Sequence, residues 1–264
     1  MLKIGLLSSN RISEFRLKTL IPILNDNEFL IRVAIIDNRP QKTLIQKFRY
    51  NLKKGRGGYI IVMLLQNIFS IKVKDFSMRE ICRDNKIEVL EIIDPYSTDK
   101  ISDIEKYKLD LLILVGGFGI IKEPLLNVSR LGVLSYHHGD MRKYRGMPPA
   151  FWELYNNENE MGITVQILSQ GLDRGIPIEE KKIKINKKDT VNVLQNRAFE
   201  QSTDMLYNAL KKISNIDFET LKINKFGKVY TLPNLRQFII LNIKLLYRKV
   251  KYLIYTNKNP YLFF

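Results

Sequence analysis

The chain has 264 residues, of which 45% are hydrophobic, and carries 43 basic against 27 acidic residues for a formal net charge of +16. This composition excludes a disordered or collagen-like chain, and the length suits one sizeable α/β domain with a small appendage. A single cysteine, Cys82, excludes a disulfide framework and fits a reducing compartment such as the cytoplasm.

The opening MLKIGLLSS reads as a strand and its turn, with an apolar run too short for an export signal. A polar helix is expected from about Glu14 to Asn25, and a strand rich in β-branched residues from Phe29 to Asp37. Strand, helix, strand at this spacing is a βαβ unit, so a mostly parallel, Rossmann-like sheet follows. Residues 39–77 differ: they are basic, hold the glycine cluster Gly55, Gly57 and Gly58, and continue into an apolar run from Tyr59 to Leu65. No GxxxxGK[ST] pattern is present, so an inserted helical hairpin with a glycine turn is preferred over a phosphate loop. Cys82 lies in a helix-like stretch, where packing is its expected role. Further strands are expected at Ile87–Ile92, Leu109–Val115 and Gly132–Tyr136. A short helix is expected at Ile120–Ser129, an alternating strand, antiparallel on this pattern, at Gly162–Leu168, and one long helix at Thr190–Ser214.

From Thr220 onward there are many Lys and Arg residues and no acid. Within this tail Ile239, Ile243, Leu246, Val250 and Leu253 share one helical face, while Lys244, Arg248 and Lys251 fall on another. The expected element is a basic amphipathic helix opened by Pro233 and Asn234. Such a helix can pack on its own domain, on a dimer mate or on a membrane surface. No stretch reaches the length of a membrane span; the longest apolar run, Leu109–Ile121, is interrupted by Gly116, Gly117 and Gly119. The division expected is 1–215 as one domain, with the insertion at 39–77, and 216–264 as a C-terminal extension.

The two histidines of the chain are adjacent, His137 and His138, at the end of an apolar strand. Ligands of open parallel sheets bind beyond the carboxyl ends of strands, so this is a place for chemistry. Two histidines with no CxxC or HxxxH spacing do not complete a usual zinc site, and no metal is expected.

The segment LGVLSYHHGDMRKYRGMPPAFWELYNNENEMGITVQILSQGLDRGIPI resembles the signature of the formyltransferases that use 10-formyltetrahydrofolate. Their pattern is Asn-x-His at a strand end, a Pro or Arg-Gly turn, a helix, a Gly-[Val/Ile]-Thr strand and a Leu-Asp-x-Gly loop. The matching positions here are His137, Arg145-Gly146, a helix carrying Trp152, Gly162-Ile163-Thr164 and Leu172-Asp173-Arg174-Gly175. His137 and Asp173 stand 36 residues apart, the family's usual separation, and His138 would break that register. The resemblance spans about Lys108 to Lys184, is weaker over the first forty residues, and is absent from 39–77 and from the last fifty or so.

The resemblance implies the formyltransferase fold and transfer of a formyl group from 10-formyltetrahydrofolate to an amine. His137 is then the base for the acceptor amine. Asp173 is the carboxylate that supports its imidazolium, and the loop Gly117-Phe118-Gly119-Ile120 is the cradle for the pterin. Ser135 stands where the family has the Asn that holds the formyl oxygen; loss of such a donor costs about 10²–10³ in rate unless the serine hydroxyl replaces it. His138 and Arg145 are expected to contact substrate. The tail is too short for the barrel-like domain of the methionyl-tRNA enzymes, which disfavours tRNA, and the hydrolase of the family has a regulatory domain with no counterpart here. The acceptor expected is a nucleotide-linked amino sugar for surface glycan synthesis, handled in the cytoplasm at the inner membrane face. The alternatives are methionyl-tRNA formylation, formyltetrahydrofolate hydrolysis and a non-catalytic binding protein.

Overall fold

The β-branched segments of the chain assemble into one seven-stranded sheet. The computed structural model describes residues 1–58, 60–61, 74–215 and 220–258. β1 (Leu2–Ser8) lies between β3 (Phe29–Asp37) and β6 (Leu111–Leu114), all parallel. β5 (Glu88–Ile92) extends the sheet beside β3, and β7 (Val133–His137) extends it beside β6, again in parallel. β9 (Glu160–Ile167) and β10 (Ile176–Lys184) run antiparallel to their neighbours and complete the order β10-β9-β7-β6-β1-β3-β5. The Rossmann-like, mostly parallel sheet expected from the sequence is therefore present. β10 was not foreseen, because IPIEEKKIK is an edge strand half made of charges and has no apolar run.

Alternation along the strands divides the core into two layers. Ile4, Leu6, Ala34, Ile36, Leu111 and Ile113 face α1 (Glu14–Leu24), α3 (Met78–Asp84) and the later helices, and Cys82 is buried among them. Leu7, Val33, Ile35 and Leu112 face α4 (Thr98–Glu105) through Ile101 and Ile104, with Phe118 beneath.

Two helix expectations need correction. Thr190–Ser214 is not one helix but α6 (Val191–Glu200) and α7 (Met205–Ser214). The Tyr136 hydroxyl occupies the break: it donates to the Ser202 carbonyl at 2.5 Å and accepts from the Leu206 N–H at 3.0 Å. The expected helix at Ile120–Ser129 reduces to a single 3-10 turn, Leu125–Asn127, because Pro124 disfavours helical geometry in the residue before it.

The insertion opens with α2 (Leu44–Lys53), capped reciprocally by Thr43 and Gln46, and turns at Gly55, whose φ of +68° suits glycine. Most of the expected second arm, 62–73, lies outside the described residues. Asp75–Ser77 forms β4, antiparallel to β2 (Arg11–Ser13), and is not part of a hairpin.

After residue 220 the chain returns to the domain. β11 (Lys228–Tyr230) pairs in parallel with β8 (Tyr144–Gly146). α8 (Leu235–Lys258) then starts at Asn234, whose side chain accepts the Gln237 N–H while Gln237 accepts the Asn234 N–H, both at 2.9 Å. α8 rests on α5 (Phe151–Tyr155), but by a different face from the one its sequence suggests. Leu241 is buried, with Phe238 and Leu245 beside it. Lys244 lies over the Tyr155 ring and donates to the Tyr155 carbonyl at 2.6 Å, and Arg248 donates to the Asn186 carbonyl at 3.2 Å. Ile239, Ile243, Leu246 and Val250 are exposed. The long stems of the basic residues cover apolar surface and their charged ends find carbonyls, so they occupy the docked face instead of the aliphatic stripe. Leu241→Ala is expected to lower the unfolding free energy by about 2–5 kcal/mol, read as a lower urea midpoint at unchanged slope.

Candidate active site

β7 brings Ser135 and His137 to one side of the sheet at its carboxyl end, and Tyr136 and His138 to the other. Two loops meet at the His137 ring. The first follows β7: Gly139 lies so close that a Cβ there would stand 2.6 Å from His137 Nε2. The same loop leads to Tyr144, whose carbonyl is 2.8 Å from Nε2. A carbonyl only accepts, so Nε2 carries the hydrogen of this contact and Nδ1 is the nitrogen turned to Asp173. Nδ1 lies 3.3 Å from Asp173 Oδ2, in a pair where the imidazole is 6% exposed and the carboxylate 16%.

Asp173 is itself held. Its backbone is left-handed, φ +46°, a conformation that Asp tolerates better than most residues. Oδ2 accepts the Gly146 N–H at 2.7 Å, and Oδ1 faces Gln166 Nε2 at 3.4 Å. Gln166 is fully buried, and its Oε1 accepts the Gly175 N–H at 2.9 Å, which fixes the direction of its amide. Gln166 is also the cross-strand partner of Ser135, as Thr164 is of His137. Ser135 Oγ is buried and makes only a long bond, 3.4 Å, to the Tyr136 carbonyl, so its hydrogen is weakly engaged.

The loop after β6 is fixed from behind. Arg39 forms an ion pair with Asp37 at 2.6 Å and donates to the Phe118 carbonyl at 2.9 Å. Phe118 is buried in the lower core and does not line an opening. Gly117, at φ +89°, is pressed against Ser9, where a Cβ would lie 2.6 Å from the serine Cβ. Gly119, at φ +70°, and Gly116 have open space where a side chain would stand, and Ile120 is 60% exposed. The open side of this loop is therefore Gly116, Gly119 and Ile120, beyond the carboxyl end of β6, whose Leu114 pairs with Ser135 of β7.

Two expected substrate contacts are not found there. The His138 ring lies among Phe15, Tyr136 and Phe199, with centroids 4.7–5.4 Å away. Its Nε2 has no hydrogen-bond partner among the described residues. Desolvation, with help from Arg16 and His137, pushes its pKa down to about 3, so the ring is neutral core. Strand alternation is the cause, since a residue next to His137 must point the other way. Arg145 spends Nε on the Gly227 carbonyl at 2.7 Å and Nη1 on the Leu172 carbonyl at 3.3 Å, so it braces the Asp173 loop. Gly146 was singled out only as part of the Arg-Gly turn; Tyr144 and Gln166 were not singled out by sequence, since they act through a loop contact and a strand register that no local pattern displays. Glu153 was also missed, although a lone acid in the apolar stretch AFWELY was a signal.

A family model described as formyl transferase matches residues 74–210, more than half of the chain. The chain belongs to the formyl transferase family. Among curated relatives, the methionyl-tRNA formyltransferase of Geobacter sulfurreducens is 26% identical over 184 residues, 70% of this chain and 50% of that protein. The one from Thermosynechococcus vestitus is 28% identical over 110 residues, 42% of this chain and 33% of that protein. The chain thus spans a third to a half of the length of these relatives. Among solved structures, the N-formyltransferase from Helicobacter canadensis, in complex with folinic acid and dTDP-3-aminofucose, superposes with a TM-score of 0.60 at 16% identity, covering 93% of this chain and 80% of that one. A sugar N-formyltransferase from Shewanella sp. gives 0.60 at 14% identity, with 93% and 88% covered. At these identities the superpositions establish the shared formyl transferase fold. The matched stretch contains His137, Asp173, Ser135 and Gln166, and leaves out α2 and α8.

Glu153 gives the formyl transferase domain a pH-dependent stability. It is buried on α5, and desolvation, with Glu158 adding, pushes its pKa from 4.5 up to about 7. The folded protein keeps this proton where the unfolded chain loses it, so the contribution is fully present below 4.5 and is lost as pH rises through 7. Relative to Glu153→Gln, the native protein should lose on the order of 3 kcal/mol between acid and mildly alkaline pH. Parallel denaturant titrations of the two proteins across that range measure the difference.

Proposed function

We propose that the chain transfers a formyl group from 10-formyltetrahydrofolate to the amine of a nucleotide-linked amino sugar. The observation that carries the reading is the His137–Asp173 pair at the end of β7, inside the stretch that matches the family. The loop after β6 fits the folate: Gly116 and Gly119 leave the space that a Cβ would fill, at the end of the strand that pairs with β7. Bound there, 10-formyltetrahydrofolate supplies the formyl carbon.

The protein's own groups divide the remaining work. His137 Nδ1 accepts the proton that the amine sheds on bonding to that carbon and returns it to the folate nitrogen as the bond from that nitrogen to the carbon breaks and tetrahydrofolate leaves; between the two transfers the Asp173 carboxylate stabilises the imidazolium. The Tyr144 carbonyl holds Nε2–H, so the proton is taken up at Nδ1, beside Asp173. Ser135 Oγ donates to the formyl oxygen as negative charge gathers on it, and the loosely held Gln166 Nε2 supplies a second N–H on the same face.

The sugar acceptor is supported by the two sugar N-formyltransferase structures, each of which this chain covers over more than three quarters of its length. The curated relatives favour methionyl-tRNA as the second reading. The lone buried cysteine supports a cytoplasmic reaction, with the C-terminal helix as its contact to the inner membrane face.

A formyl-transfer assay decides between these acceptors. Tetrahydrofolate release is followed by absorbance, and the formyl mass is sought on dTDP- and UDP-linked amino sugars and on methionyl-tRNA. Formylated sugar is expected, falling by about 10²–10⁴ in kcat for His137→Ala, with a comparable loss for Asp173→Ala. Formylated methionyl-tRNA alone would establish the second reading; folate release with no formylated acceptor would indicate hydrolysis. Ser135→Ala should lower kcat by about 10²–10³ at unchanged KM, whereas Ser135→Asn should retain turnover.

A further inference from the structure

The charge of +16 is not spread over the molecule. Residues 39–74 hold nine Lys and Arg residues and residues 220–264 hold another nine, with no acid in either segment; the remainder has 25 basic and 27 acidic residues. Apart from Lys74, both segments lie outside the stretch that matches the family, 74–210. The fold nevertheless packs them together. A Cβ at Gly58 would stand 2.6 Å from the Asn234 carbonyl oxygen and 2.7 Å from Phe238 Cβ, and one at Gly57 would stand 3.4 Å from Leu235 Cβ. Among the described residues, two acid-free basic stretches far apart in sequence thus meet where α8 begins.

α8 carries an aliphatic stripe. At 100° per residue, Leu246, Ile239, Val250 and Ile243 lie within about 60° of one another on α8. They are 46–64% exposed, with Tyr247 and Ile254 alongside. Lys249 and Lys251 flank the stripe on its two sides. α2 adds exposed Leu44, Ile45, Phe48 and Leu52, interleaved with Lys47, Arg49 and Lys53. α8 cannot turn this stripe inward, because Leu241, Lys244 and Arg248 already occupy the docked face.

We infer that α8 and α2 dock the protein on an anionic lipid bilayer, with α8 lying in the interface plane. Its aliphatic side chains enter the acyl boundary and the flanking lysines meet headgroup phosphates. Charge decides against the two other occupants. A second copy would set these basic, acid-free stretches against the same stretches. An RNA backbone would satisfy the lysines but leave the stripe in water. The inference does not depend on which acceptor the enzyme formylates.

The full-length chain is required for the test, because β11 is part of the active-site wall. Co-sedimentation is measured with phosphatidylcholine vesicles, with and without a third of phosphatidylglycerol. Binding is expected to the anionic vesicles and to be at least tenfold weaker to the neutral ones. Lys249→Gln with Lys251→Gln should weaken it about 25-fold, and Ile243→Ser with Leu246→Ser should weaken it more than tenfold, both at unchanged thermal midpoint. Absence of pelleting, equal pelleting with neutral vesicles, or pelleting untouched by both pairs would overturn the inference. So would a dimer in sedimentation velocity that Ile243→Ser dissociates, which would give the stripe to a second copy. RNA binding lost with the lysine pair but indifferent to the stripe, in a protein that ignores vesicles, would give the surface to RNA.

Discussion

The Asp173 carboxylate is the point through which three separate segments hold one another. It accepts the Gly146 N–H from β8, faces the amide of Gln166 from β9 and stands beside His137 from β7. Each of these contacts depends on another. Gly146 adopts φ +91°, and the Tyr230 carbonyl lies where its side chain would be, so only glycine admits β11 alongside β8. Gln166 can reach Asp173 because Gly175 fixes the other end of its amide. Arg145 ties the Leu172 carbonyl to the Gly227 carbonyl, joining the loop of Asp173 to the segment that returns from the C-terminal part of the chain. The left-handed backbone of Asp173 sits inside this mutual closure, with Ser169 Oγ donating to the Arg174 carbonyl at 2.9 Å across the same loop.

The adjacent histidines show how strand geometry separates two chemistries. His137 emerges over the site with one nitrogen committed to a carbonyl and the other beside a carboxylate. His138 points through the sheet into an aromatic cage, where burial keeps it neutral. The two rings have the same covalent chemistry and nearly the same position in sequence. A period of two residues sets one beside a carboxylate at the end of the sheet and makes the other part of the packing between α1 and α6.

The same geometry explains which parts were legible in the sequence. The parallel strands were, because Val, Ile and Leu runs bounded by turn residues leave few alternatives. His137 and Asp173 were, because five motifs in order fix a register that neither residue fixes alone. β10 was not, since a charged edge strand takes its pairing from β9 and has no pattern of its own. The break between α6 and α7 depends on the Tyr136 hydroxyl, 66 residues from Ser202, and the role of Gln166 depends on a cross-strand register. The docked face of α8 escaped for a different reason. Amphipathic analysis assumes that aliphatic residues face the protein, whereas Lys244 and Arg248 have long apolar stems and a choice of buried carbonyls.

The region after residue 220 consequently has two jobs on two faces. Its first part is internal: β11 pairs with β8, the Thr231 carbonyl accepts the Trp152 indole N–H at 3.1 Å, and Phe226 lies under both Arg145 and Arg174. These contacts shape the wall that carries Tyr144 and Gly146. Its second part, α8, docks through Leu241, Phe238 and Leu245 together with Lys244 and Arg248, and leaves a second aliphatic stripe outward. An exposed stripe is costly in water unless something covers it, and Ile239, Ile243, Leu246 and Val250 remain exposed. The family core, close to neutral once the two basic segments are set aside, supplies the chemistry. The insertion and the tail supply a surface, and they meet at Gly58 because glycine alone lets α8 begin against the insertion's backbone. One packing contact thus joins the two departures from the family pattern.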